Sequence, residues 1–170
     1  MSGEYTGNGL AASRKVRSMN SEQSGYVRIG ISGWTYPAWR AVFYPANLPQ
    51  KRELEYSSHT FPTIEIKGTF YSLQTPKSFL RWKEETPGNF VFSVKGPRFI
   101  THVRRLRDAE VPLANFFASG LLSLDLKLGP ILWQLPPNFK FSQICLKGFS
   151  GSCRRQHKMR QTSQADVLHG

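Results

Sequence analysis

Residues 63–72 read TIEIKGTFYS. The β-branched run Thr63 to Ile66 has the alternation of a short strand, and Gly68 to Ser72 breaks it into a loop. Thr75-Pro76 then opens a helix running through Glu85, with Thr as N-cap and Pro at the first helical position. Leu80 and Trp82, with Phe79 beside them, are its expected apolar residues. The unit is strand, loop, helix, and it repeats on both sides. Before it, 26–33 (YVRIGISG) alternates Val27, Ile29 and Ile31 and stops at Gly33, followed by the aromatic loop WTYPAWRAVFYPANLPQ and a short helical segment from Lys51 to His59. After it, Phe90 to Val94 predicts a third strand, Lys95 to His102 a loop, and Val111 to Leu122 a helix with Pro112 in its first turn and Leu113, Phe116, Phe117 and Gly120 at helical spacing. A fourth strand, Gly129 to Leu135, ends at Pro136-Pro137.

Four such units of roughly 30 residues each predict a parallel α/β sheet, because a parallel connection needs a crossover of a dozen or more residues. Two architectures use this pattern, the open doubly wound sheet and the eight-stranded barrel. A complete barrel takes about 250 residues, so on the barrel reading a 170-residue chain holds about half of one.

Composition bounds the rest. The chain is 39% hydrophobic and 13% aromatic, enough for a core and against disorder throughout. No apolar run approaches the roughly 20 residues that cross a bilayer, and the N-terminus lacks a secretory apolar stretch, so a soluble cytoplasmic protein without a membrane partner is expected. Cys145 and Cys153 support neither a disulfide framework nor a zinc site. Lys and Arg total 23 against 11 Asp and Glu, a net charge of +12 that favours anionic partners.

Residues 1–25 are rich in Gly, Ser and Asn without periodicity and read as a disordered leader, a transit-like peptide being the alternative. From Gly148 the apolar period stops. Arg154, Arg155, Lys158 and Arg160 stand against Asp166 in a basic tail, 149–170, read as an unstructured end or a phosphate-attracting segment.

The strings IGISGWTYPAWRAVFYP (29–45), IEIKGTFYS (64–72), FVFSVKGPRFITH (90–102) and RRLRDAEVPLANFFASGLLSLDLKLGPILWQLPPNF (104–139) resemble successive blocks of the YecE-like family, domain of unknown function 72. The resemblance runs from about Val27 to Phe141 and fades beyond. It implies a TIM-like (β/α) barrel of longer chains, of which 26–148 would form about four β/α units, an incomplete barrel. Lys67 departs from the pattern, where members more often carry Asn. Exposed sheet edges in such a fragment invite self-association. The change of character near Lys147 fits a truncated product whose tail is read out of frame, a dimerising half-barrel being the rival reading.

Barrel chemistry sits on the loops after the strands. After the first strand, Ser32, Trp34, Tyr36 and Trp39 offer an aromatic wall with hydroxyls for a ligand, or plain loop packing. Glu65 is a carboxylate between Ile64 and Ile66, pointing opposite to them. It suits a general acid, a general base or a metal ligand, or a structural ion pair with Lys95. Lys95, Arg98 and His102 put three basic groups in eight residues, enough to clamp a phosphate or carboxylate, unless Arg98 and His102 simply face solvent. Arg104, Arg105 and Arg107 extend that surface or form a solvated face. Tyr71 and Gln134 sit where they can bond a ligand at the mouth. No metal-binding His pair, phosphate-binding glycine loop or dinucleotide fingerprint occurs, so no cofactor is assigned.

Two functions follow. The parent fold is an enzyme acting on an anionic or phosphorylated substrate, with Glu65 and Lys95 catalytic, Glu65 as acid/base and Lys95 with Arg98 as the anion clamp. Alternatively it is a nucleic-acid-binding module using basic and aromatic surface. A chain holding only half a barrel is expected to lack robust catalysis.

Overall fold

Every second residue of the central strands is sealed from water. In the computed structural model, which describes residues 27–168, Ile64, Ile66, Phe92 and Val94 are at most 1% exposed, while Thr63, Glu65, Val91, Ser93 and Lys95 between them are half-buried. That period of two is the mark of a sheet packed on one face. The strands are β1 (Ile31–Ser32), β2 (Thr63–Ile66), β3 (Val91–Lys95) and β4 (Leu128–Leu132), all parallel and hydrogen-bonded in the order β1-β2-β3-β4.

The order decides between the two architectures left open by the pattern. A doubly wound sheet reverses direction at a switch point and covers both faces with helices. Here consecutive strands are always neighbours and only one face is sealed, the winding of a barrel wall. The fold is a mixed α/β, TIM-like one. The connecting helices are α1 (Glu53–Thr60), α2 (Pro76–Glu84) and α3 (Glu110–Ala118), and α4 (Gln143–Leu168) follows β4.

Most elements lie where the pattern places them, with instructive shifts. Only Ile31 and Ser32 of the first predicted strand join the ladder. At Gly30 the chain presses on β2 so closely that a Cβ would meet the Thr63 carbonyl at 1.9 Å, while Val27 and Ile29 are 80% and 77% exposed. The Arg28 guanidinium donates to Asn89 O at 3.1 Å, tying this stretch across the strand starts. In α2, Thr75 Oγ1 accepts from the Ser78 N–H as the expected N-cap, but the buried pair is Phe79 and Trp82. Leu80, expected inside, is 46% exposed because i, i+3 spacing puts the first two on one face.

The predicted helix from Val111 to Leu122 ends early. Ser119 and Gly120 turn out of α3, and tight helical turns from Leu121 to Lys127 carry Leu121, Leu122 and Leu124 into the core. Lys127 is buried among them. Its ammonium donates to Lys83 O at 2.5 Å, Thr86 O at 2.6 Å and Thr86 Oγ1 at 3.0 Å, occupying carbonyls at the end of α2 that the helix leaves open.

Past Gly148 the near end of the basic segment continues α4 and docks on the sheet. Sparse apolar residues suffice there: Phe149 is 7% exposed and stacks edge-on against Trp133 at 5.0 Å, and Cys153 packs on the core. The expected leader at 1–25 lies outside the described residues. No helix among the described residues is long and apolar enough to cross a membrane.

Candidate functional site

The face away from the helices carries the chemistry. Parallel strands align their C-terminal ends, so Ser32 pairs in register with Glu65 and Glu65 with Ser93, and Lys95 lies two residues further along β3. Ser32 Oγ donates to Glu65 Oε1 at 2.9 Å, and the Lys95 ammonium lies 4.0 Å from that same oxygen. The Glu65 and Lys95 side chains are 18% and 20% exposed. At 4.0 Å the pair is at the outer limit of an ion pair, a weak clamp beside bidentate geometry.

The turn after β2 fixes Lys95 from below and beside. Thr69, fully buried, donates through Oγ1 to Lys95 O at 2.6 Å and lies 2.8 Å from Ile66 O, which stitches the end of β2 to the end of β3. Phe70 follows, and the Lys95 ammonium lies 5.1 Å from its ring centroid, a cation on an aromatic face. Thr69 and Phe70 carry no motif of their own in the sequence; a Thr three residues past the end of β2 was the available signal.

A second cluster stands over β1. Gly33 has φ +75°, a left-handed turn that only glycine adopts without cost, and a Cβ there would meet Lys67 Cε at 2.7 Å. Lys67 uses that space to reach Tyr36: its ammonium is 2.5 Å from the phenol oxygen, and the phenol in turn donates to Ser32 O. Tyr36 stacks on Trp39 at 4.5 Å. Trp34 instead packs edge-on against Trp82 of α2, and its carbonyl accepts from the Tyr44 hydroxyl at 2.5 Å. Burial pushes the Tyr44 phenol above its ordinary pKa, and the nearby Glu53 carboxylate acts in the same direction. Glu53 is itself fully buried, with Oε1 3.1 Å from Arg40 Nε and Oε2 without a hydrogen-bond partner among the described residues.

The three basic residues read as one clamp are distributed differently. Lys95 faces Glu65. His102 turns its ring edge-on to Phe70 at 5.2 Å and shares a 2.9 Å hydrogen bond between Nδ1 and Thr101 Oγ1. Arg98 and Tyr71 line a cavity beside Phe70, with Phe99, Leu73, Val111 and Asn115. Gln134 is exposed beyond β4 and has no side-chain partner among the described residues. The predicted loop from Lys95 to His102 contains a π-helical turn, Phe99–Val103, closed by Arg104 N–H to Phe99 O at 2.8 Å. Such turns are rare and concentrate at functional sites. Arg105, Leu106 and Asp108 then take left-handed φ of 52°, 65° and 44°. Burial of Leu106 and the bond from the Arg105 guanidinium to Asn138 O at 2.8 Å hold this unfavourable backbone. Among the described residues no three His, Cys, Asp or Glu side chains gather as a metal site.

Protein YunF of Bacillus subtilis is 32% identical over 121 residues, covering 66% of this chain and 41% of its own length. Protein YecE of Escherichia coli K12 is 32% identical over 113 residues, covering 66% and 39%. The chain thus spans about two fifths of the curated relatives it matches. A Thermotoga maritima DUF72 family protein, TM1631, superposes with a TM-score of 0.61 at 29% identity, over 76% of this chain and 51% of that one. A DUF72 family protein of Enterococcus faecalis, at 19% identity, shares the fold with a TM-score of 0.57 over 76% of this chain and 46% of its own. The family model described as protein of unknown function DUF72 matches residues 28–160, well into the α4 segment where the visible likeness had faded. On that match, and on the shared parallel sheet, the chain belongs to the DUF72 family.

Proposed function

We propose that the strand-end face of this fold is an acid–base site for an anionic small-molecule substrate, with Glu65 exchanging the proton and Lys95 holding negative charge. The observation that carries the reading is the convergence of Ser32, Glu65 and Lys95 from three adjacent strands on one carboxylate oxygen, at 2.9 and 4.0 Å. Ser32 and Lys95 both engage Oε1, which leaves Oε2 as the oxygen available to a substrate proton. A positioned carboxylate of this kind contributes roughly 10²–10⁴-fold to a proton transfer. Lys95, loosely paired and backed by Phe70, keeps charge in reserve for an anion developing beside it.

Two substitutions separate the roles. In a turnover screen of phosphorylated and carboxylated small molecules, sensitive enough for the weak rate expected of a half-barrel, Glu65→Gln is expected to retain substrate binding and lose at least about 10²-fold in rate. Lys95→Ala is expected to weaken binding of the same compound, with single-stranded polynucleotide as the control ligand. Wild-type rates and affinities in both variants overturn the proposal. Salt-sensitive polynucleotide binding without turnover would favour the nucleic-acid reading instead.

A further inference from the structure

The cavity beyond Phe70 has the makings of a separate ligand site. It measures about 370 Å³ and is bounded by the turn after β2, the π-helical turn after β3 and the first turns of α3. Its walls gather apolar side chains that the fold leaves in water: Tyr71 is 71% exposed, Val111 68%, Phe99 50% and Leu73 48%. Scattered exposed hydrophobes are ordinary, but four around one concavity mark a binding surface. The cavity contains a single charged side chain, Arg98, and no acidic residue lines it. Arg98 has no hydrogen-bond or ion-pair partner among the described residues, although acids elsewhere on the surface are paired with Arg52, Arg81 and Arg104.

We infer that this cavity binds an aromatic carboxylate, its ring against Phe70, Phe99 and Tyr71 and its carboxylate on the Arg98 guanidinium. The fork of Arg98 matches a carboxylate bidentately, and the aromatic walls supply apolar and edge-on contacts to a planar ring. Phe70 is preset for the role, since His102 packs edge-on against it at 5.2 Å. The site stands independently of the acid–base reading at Glu65, with which it shares only the Phe70 ring.

The test uses 2-naphthoate as probe, by calorimetry or ligand-observed NMR on the full chain, with uncharged 2-naphthol alongside. Wild type is expected to bind naphthoate below about 1 mM. Arg98→Met keeps the aliphatic stem at an exposed position and is expected to weaken naphthoate about tenfold while leaving naphthol unchanged. Phe99→Ala is expected to weaken both probes. A circular dichroism melt matching wild type certifies that each variant is folded. The inference is overturned by any of three results: no naphthoate binding up to about 10 mM, an Arg98→Met affinity within twofold of wild type, or loss of naphthoate binding on Lys95→Met with Arg98 intact.

Discussion

The two faces of β2 and β3 are built from alternating residues of the same strands, yet they meet opposite demands. Phe92 and Val94 are sealed against the helices, while Ser93 and Lys95, their immediate neighbours, face the open side with Glu65. The sealed face contributes stability through buried apolar area, at about 25 cal/mol per Å². On the open face two polar groups, Ser32 and Lys95, share one oxygen of Glu65 without closing around it. A period of two thus separates what holds the protein together from what can act on a ligand, so damage to one face should leave the other's property intact.

The largest expected effect is on the sealed face. Phe92→Ala removes a fully buried ring that touches Phe90 edge-on at 4.8 Å, and should cost about 3–5 kcal/mol in a urea melt. A loss below about 1 kcal/mol would mean the helix-covered face is not the main core.

Lys127 tests whether charge can serve the sealed side. Lys127→Ala strips the carbonyls at the end of α2 of their donor and should cost about 1–3 kcal/mol. Burial pulls the Lys127 ammonium below its ordinary pKa, with the Lys83 charge adding to the effect.

Tyr44 predicts a pH signature. Its phenol is pushed up by burial in the folded state, so the unfolded chain ionises first. The folded state then holds the extra proton, and stability falls as pH rises through the ordinary tyrosine value near about 10. Tyr44→Phe should flatten that alkaline decline in melts between about pH 9 and 11; an unchanged slope would assign the decline to other groups.

The smallest effect is expected on the open face. A double-mutant cycle of Glu65→Gln with Lys95→Met should give a coupling below about 1 kcal/mol, as fits a partly exposed 4.0 Å pair. A coupling of about 3 kcal/mol would identify a structural ion pair and count against the acid–base proposal.

How much was legible follows from the range of each interaction. Periodicity and breakers are local, so the four strand–helix units, the Thr75 N-cap and the turn of Glu65 away from the helix-covered core can all be read along the chain. Boundaries at β1 and the end of α3 moved, and the start of α4 found its anchor, because distant contacts overrode local signals. Gly30 meets Thr63, Leu121 and Leu124 join the core, and Phe149 finds Trp133. The three basic residues within eight positions have different surroundings for the same reason: Lys95 faces Glu65, His102 packs on Phe70 and Arg98 lines a cavity with Phe70.

By itself the amino-acid order determined the parallel α/β class, the alternation that aims Glu65 away from the core, and the block likeness to DUF72 proteins. Only the tertiary structure chose the barrel-type strand order over the doubly wound one. It also brought Ser32 and Lys95 to one oxygen of Glu65 and set Arg98 in a cavity apart from them. The physical reason is that periodicity specifies which side of a strand a residue occupies. Which strands become neighbours, and which loops meet above them, depends on long-range packing that no local pattern encodes.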